Sequence, residues 1–260
     1  MLATLAQLEP RARDLPANLD RARRLLDTGE AADLLVLPEL YLSGYELADV
    51  HGVSVDLDGP EVGALCVAAR ESGTAMVVGA AERVAGGVAN SAICISRQGE
   101  LAAVYRKTHL FGAEKDNYLA GGELVTVELE GRTLGLMICF DLEFPEVART
   151  LALRGADTLV SISANPAAFQ RDHEVFVPAR ALENGIPHLY VNRVGRQDGV
   201  SFGGSSMAVD PEGTVLAEAG RAEEELLHVE IGDAGRRDAR TRYVELLRPS
   251  VYDAPGDPDK

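Results

Sequence analysis

Short apolar runs rich in valine, isoleucine and leucine alternate along the chain with longer stretches whose apolar residues recur at helical spacing. Twelve runs read as strands, at 2–8, 33–38, 74–81, 88–96, 101–106, 124–130, 133–139, 157–163, 187–193, 205–210, 214–219 and 225–231. Helices are expected near 16–28, 60–72, 144–154 and 172–184, and in the second of these Val62, Leu65, Cys66 and Ala69 fall on one face. Tight-turn signals join several strands: GG at 86–87, QGE at 98–100, EG at 130–131 and PEG at 211–213. So many strands with four main helices exceed a simple doubly wound sheet. The pattern predicts an α/β protein in which two sheets pack together with helices outside. No repeat, linker or low-complexity block interrupts it before about residue 248, so 1–260 reads as a single domain.

Composition narrows the function. A chain of 260 residues with 46% hydrophobic and 25% charged residues is an ordinary globular protein with a sizeable core. A formal charge of −16 argues against nucleic acid or an anionic membrane surface as partner, because phosphates would be repelled. The N-terminal segment lacks a basic stretch followed by a sustained apolar one, and no run approaches a membrane span. Three dispersed cysteines, Cys66, Cys94 and Cys139, disfavour a disulfide framework. A cytoplasmic setting is expected. Of 25 basic residues only Lys107, Lys115 and Lys260 are lysine, so a compact ammonium at Lys107 stands out in an arginine-using chain.

In α/β folds reactive groups collect at strand ends, where loops escape packing duty while the sheet holds them rigid. Three such ends carry chemistry: ADLLVLPEL delivers Glu39, LAAVYRKTHLF delivers Lys107, and TLGLMICFDLEFPE delivers Cys139. Cys139 closes a strand just before a helix beginning near Phe144–Pro145, a turn similar to a nucleophile elbow. An exposed thiol beside a helix N-terminus and a lysine should have a lowered pKa, with the Phe140 amide free to donate to an oxyanion. A buried structural cysteine is the competing reading, and it is preferred for Cys66 and Cys94. The base can be Glu39, its pKa raised by desolvation, or His109 in a cysteine–histidine pair. His51, His173, His188 and His228 are scattered without metal-ligand spacing.

Taken together, PELYLSGY, YRKTHLF and LMICFDLEFPEVAR resemble the nitrilase superfamily of carbon–nitrogen hydrolases, with Glu, Lys and Cys in order and separated by 68 and 32 residues. The resemblance continues through VPARALENG at 177–185 and VNRVGRQDGVSFGGSSMAVDPEG at 191–213, so it covers nearly the whole chain. It implies an α-β-β-α four-layer sandwich of two mixed β-sheets, a homodimer or higher homo-oligomer, and neither metal nor organic cofactor. A C-terminal extension from about residue 236 is expected to join the dimer contacts. The family's second glutamate falls on Glu114, seven residues after Lys107, with Glu123 as the alternative.

The implied reaction is hydrolysis of a small non-peptide amide through a thioester, with Glu39 as base and Lys107 as oxyanion stabiliser. Phe140-Asp141 after the cysteine, in place of Trp-Glu, favours amides over nitriles; an N-carbamoyl amidohydrolase, a nitrilase and a non-catalytic binding protein on this scaffold are the alternatives. Glu143 stands where many amidase branches have arginine, which disfavours acid-bearing substrates and leaves neutral or amine-bearing amides, unless it is only a helix N-terminal acid. Tyr45, Asn165 and Phe169 lie in segments expected to approach the pocket.

Overall fold

The computed structural model describes residues 1–27, 32–232 and 243–248. The strands in chain order are β1 (Leu2–Gln7), β2 (Leu34–Val36), β3 (Ala75–Val84), β4 (Gly87–Ile95), β5 (Leu101–Arg106), β6 (Thr126–Leu129) and β7 (Arg132–Ile138), followed by β8 (Thr158–Ser163), β9 (His188–Asn192), β10 (Arg196–Gln197), β11 (Val200–Ser201), β12 (Met207–Val209), β13 (Val215–Glu218) and β14 (Glu225–Glu230). The helices are α1 (Leu15–Leu26), α2 (Pro60–Ser72), α3 (Glu114–Asn117), α4 (Pro145–Leu153) and α5 (Gln170–Asn184). All twelve expected strands pair; the short hairpin β10–β11 and the single turn α3 carry too few residues to show a period.

Two six-stranded sheets form, ordered β14-β1-β2-β3-β4-β5 and β13-β12-β9-β8-β7-β6. Each has a parallel centre, β1-β2-β3 in one and β7-β8-β9 in the other, flanked by antiparallel strands. Strand alternation builds the layers. Leu34, Val36, Ala75 and Val77 face Leu136, Ile138, Val160 and Ile162 across the space between the sheets. The alternate residues Leu35, Leu37, Met76 and Val78 face outward into the cluster holding Ala22 and Leu26 of α1 and Val62 and Leu65 of α2. Met137, Leu159 and Tyr190 do the same with Val147 and Leu151 of α4 and Val177 and Ala181 of α5. This is the α-β-β-α sandwich, and because both faces of each central strand are buried, those strands read as continuous apolar runs.

Local chemistry sets the boundaries. Proline occupies the first turn of α1, α2 and α4, where its missing N–H costs nothing. The β6–β7 turn places Glu130 and Gly131 both at positive φ, as a two-residue hairpin requires. Two expectations change. In α2 the buried face is Val62, Leu65, Ala68 and Ala69, while Cys66 is only half-buried, because the helix seats one position around from the face chosen by periodicity. The strand expected at 33–38 pairs only over Leu34–Val36 before the chain turns away toward Glu39. The extension expected to begin near residue 236 lies outside the described residues, apart from 243–248.

Candidate active site

The three reactive strand ends converge where the sheets meet. Glu39 follows β2, and its loop lies against β3 at Gly79; a Cβ on that glycine would sit 2.3 Å from the Pro38 carbonyl oxygen and 2.4 Å from the Leu40 nitrogen. Only a residue without a side chain admits the loop there. Lys107 directly follows β5 and extends its pairing, its amide donating to the Asn90 carbonyl of β4 at 2.8 Å. Cys139 directly follows β7 at φ +46°, a left-handed conformation rare for a residue with a side chain, so the surrounding packing holds it against a local cost.

Lys107 Nζ is the hub. It donates to Glu39 Oε1 at 2.7 Å and lies 2.9 Å from both carboxylate oxygens of Glu114, with all three side chains fully buried. Asn90 Nδ2 also donates to Glu39 Oε1 at 2.7 Å, and the Ala164 amide donates to Oε2 at 2.6 Å. Glu114 accepts from the Tyr45 hydroxyl at 2.8 Å and from the Phe111 amide at 2.9 Å. Every oxygen of the two carboxylates therefore has a donor, which is what makes burying them tolerable. Glu123 is exposed, and Glu114 alone of the two candidates reaches the lysine.

Asp141 ties the lysine end to the cysteine end. It accepts from the Tyr105 hydroxyl at 2.8 Å and the Ile138 amide at 3.0 Å through Oδ2, and from Thr108 Oγ1 and the His109 amide at 2.9 Å through Oδ1. His109 Nδ1 lies 2.9 Å from that same oxygen, and its ring stacks on Phe144 at 4.0 Å between centroids. His109 is thus engaged with Asp141 and Phe144. Over the buried cluster opens a narrow cavity whose lining includes Cys139, Glu114, Tyr45, Phe140, Glu143, Asn165 and Phe169. A larger groove runs past Arg11, Arg21 and Arg24 and contains none of these groups. Among the described residues no cluster of three or more His, Cys, Asp or Glu side chains could hold a metal ion, and no helix is long and apolar enough to cross a membrane.

Residues 2–241 match the carbon-nitrogen hydrolase family. The chain belongs to that family. It is 39% identical to an (R)-stereoselective amidase of a Pseudomonas species, over 95% of this chain and 90% of the relative. A hydrolase encoded in the 5′ region of pqqF in Pseudomonas protegens is 38% identical over 97% and 91% of the two chains. Among solved structures, an amidase of the nitrilase superfamily from Nesterenkonia AN1 superposes with a TM-score of 0.86 at 30% identity, covering 96% of this chain and 95% of that one. A glutamate-to-glutamine mutant of the Nesterenkonia amidase shows the acetamide moiety of fluoroacetamide added covalently at its active-site cysteine. This carbon–nitrogen hydrolase is accordingly an enzyme acting on carbon–nitrogen bonds other than peptide bonds.

The electrostatics of this hydrolase correct one expectation. Cys139 is only 7% exposed, and it opens a 3₁₀ segment, Cys139–Glu143, that leads into α4 at Pro145, where the helix was expected to begin. Burial pushes the Cys139 thiol well above its ordinary pKa, and Glu39 pushes it further, against the opposing pull of Lys107. A resting thiol replaces the expected thiolate, because desolvation penalises the charged form more than one lysine shared with two glutamates can repay. Burial also raises Glu39, Lys107 opposing. Burial alone would lower Lys107, but Glu39 and Glu114 hold it well above the usual lysine value, so it remains an ammonium.

Several residues of the site were not singled out by sequence. Asn90, on the Glu39 carboxylate, and Phe111, whose amide holds Glu114, are examples; Asn90 was marked only by being polar and central in an apolar strand. His173, rated a scattered histidine, is buried with Nδ1 2.8 Å from the Tyr190 hydroxyl, and Tyr190 lies close enough to Cys139 and Asn165 to feel both.

Proposed function

We propose that this enzyme hydrolyses a small amide to a carboxylic acid and ammonia or an amine through a thioester on Cys139. The observation that carries the reading is one buried cluster in which Lys107 bridges Glu39 and Glu114 beneath the cavity that Cys139 lines. Glu39 accepts the Cys139 proton as the sulfur attacks the amide carbon, so that thiolate never has to accumulate. The raised carboxyl and the resting thiol both suit a proton transfer concerted with attack. Lys107 and the Phe140 amide stabilise the oxyanion. The proton held by Glu39 passes to the leaving nitrogen, the C–N bond breaks, and the amine departs. Glu39 then takes a proton from water, which attacks the thioester and releases the acid and the free thiol.

Glu114 supports the reading as a positioning residue, since it holds Lys107 and is itself held by the Phe111 amide. The His173 and His109 environments favour Glu39 as base: each histidine is committed to other partners. A homodimer belongs to the same reading and is supported by exposed Leu153, Val175, Leu182 and Leu216 on α4, α5 and β13.

A panel of small amides, carbamoyl compounds and nitriles, followed by ammonia release against a Cys139→Ala control, tests the reaction. Release from amides above the control is expected. No release from any amide would refute it, and release from nitriles or carbamoyl compounds instead would select one of those branches.

The pH dependence follows from Glu39. It must be ionised to accept the thiol proton, and burial raises its pKa, so kcat/KM should fall toward acid with a limb above the ordinary glutamate value of about 4.3. A kcat/KM profile flat down to that value would rule out Glu39 as the base.

A further inference from the structure

Two carboxylates line the cavity, and they are in different electrostatic states. Glu114 is paired with Lys107. Glu143, one quarter exposed, meets only His173 among the described ionisable groups, with His173 Nε2 3.4 Å from Oε1. The nearby guanidinium of Arg180 does not neutralise it: Arg180 donates to the backbone carbonyls of Leu142 at 2.8 Å and Glu143 at 2.9 Å, and pairs with Glu183 at 3.1 Å. Arg180 therefore holds the 3₁₀ segment in place and leaves its carboxylate uncancelled.

His173 does not cancel that carboxylate either. The imidazole is 1% exposed, and burial keeps it neutral, Glu143 opposing. Its Nδ1 lies 2.8 Å from the Tyr190 hydroxyl, which ties the ring to β9. Its Nε2 makes no hydrogen bond and lies 3.4 Å from Glu143 Oε1. A neutral ring beside a carboxylate leaves its charge in place.

The rest of the wall suits a cation. Phe111 packs edge-on against Phe140 at 5.3 Å and against Phe169 at 5.6 Å between centroids, and all three rings line the cavity with Glu143. Ring faces attract ammonium groups, and a carboxylate among them adds a charge-assisted partner. Beneath, two glutamates outnumber the single lysine, in a chain of net charge −16, so a second carboxylate on the substrate would meet repulsion.

We propose that Glu143, beside the buried His173 and flanked by Phe111, Phe140 and Phe169, binds an ammonium group on the acyl part of the substrate, selecting amides of amino-substituted carboxylic acids. The proposal rests on amide hydrolysis at Cys139 and adds the substrate class.

The test compares ω-amino amides of increasing length, from glycinamide to 5-aminopentanamide, each beside the isostere in which methyl replaces ammonium, with succinamate as the anionic member. For the wild-type enzyme, kcat/KM for at least one ammonium amide should exceed that of its isostere by about 10- to 100-fold, and succinamate should be the poorest. Glu143→Gln should lower the ammonium-to-methyl ratio by about tenfold or more. The same ratio is read without turnover, from equilibrium binding of each pair to Cys139→Ala and to Cys139→Ala/Glu143→Gln. An ammonium preference absent from the wild type, or unchanged by Glu143→Gln in both measurements, overturns the assignment of Glu143 while hydrolysis of neutral amides leaves the reaction standing. Glu143-dependent binding of ammonium amides with no hydrolysis of any amide would instead sustain the recognition site and overturn the reaction.

Discussion

Replacing Cys139 by alanine is expected to reduce amide hydrolysis by on the order of 10⁴–10⁶, to the level set by binding and the remaining oxyanion donors. The expectation follows from the division of labour in the cluster. Glu39 and Lys107 can move and stabilise charge, but neither can form the covalent bond that splits one difficult substitution into two easier ones. Intact-protein mass spectrometry during turnover should show the acyl adduct on the wild type and none on the variant. The fold should survive, because alanine removes one sulfur atom and keeps both carboxylates and the lysine paired. Thermal denaturation should place the variant's Tm within a few degrees of the wild type, at a cost of about 1 kcal/mol. Hydrolysis retained within tenfold would show that Cys139 is not the nucleophile.

Lys107→Met should cost both activity and stability. Loss of an oxyanion donor is worth about 10²–10³ in kcat. In addition, Glu39 and Glu114 would be left buried with no cation between them, and breaking a buried pair by removing one partner costs about 3–5 kcal/mol. The pH dependence separates this effect from simple cavity formation. Burial holds the Glu39 carboxyl above its unfolded value, so the folded state binds the proton more tightly than the unfolded chain does. Stability linked to it is fully present below the unfolded pKa and is lost as pH rises through the folded one. The Tm deficit of Lys107→Met should therefore shrink toward acid and widen toward neutrality. A deficit independent of pH would mean that the two glutamates are not charged around the lysine.

The layered architecture was legible because its cause is local. Leu34-Leu35-Val36-Leu37 and Met76-Val77-Val78 are apolar on both faces, and only strands sandwiched between a helix layer and a second sheet bury both faces. Glu39, Lys107 and Cys139 were legible for a related reason: polar or reactive groups directly after apolar strands have few structural uses. Glu114 was not legible in this way. It lies in a short single-turn helix, and only resemblance to the family separated it from Glu123. Asp141 was read as a marker of substrate class beside Phe140, whereas its carboxylate is a buried anchor holding Tyr105, Thr108 and His109 against the end of β7.

What the chain's order determined by itself was where each reactive group leaves its strand and which face of each strand is buried, since a period of two residues expresses both. Which charges share a volume was decided only by tertiary structure. Cys139 shows the difference: a nearby lysine and helix suggested a lowered thiol pKa, yet burial raises it, because Lys107 is shared with Glu39 and Glu114 and little of the residue meets solvent. Glu143 shows it again, since the neutral His173 behind it comes from a helix thirty residues away and leaves its charge uncancelled. Desolvation and Coulomb interaction depend on distance and dielectric, and neither is written in residue spacing.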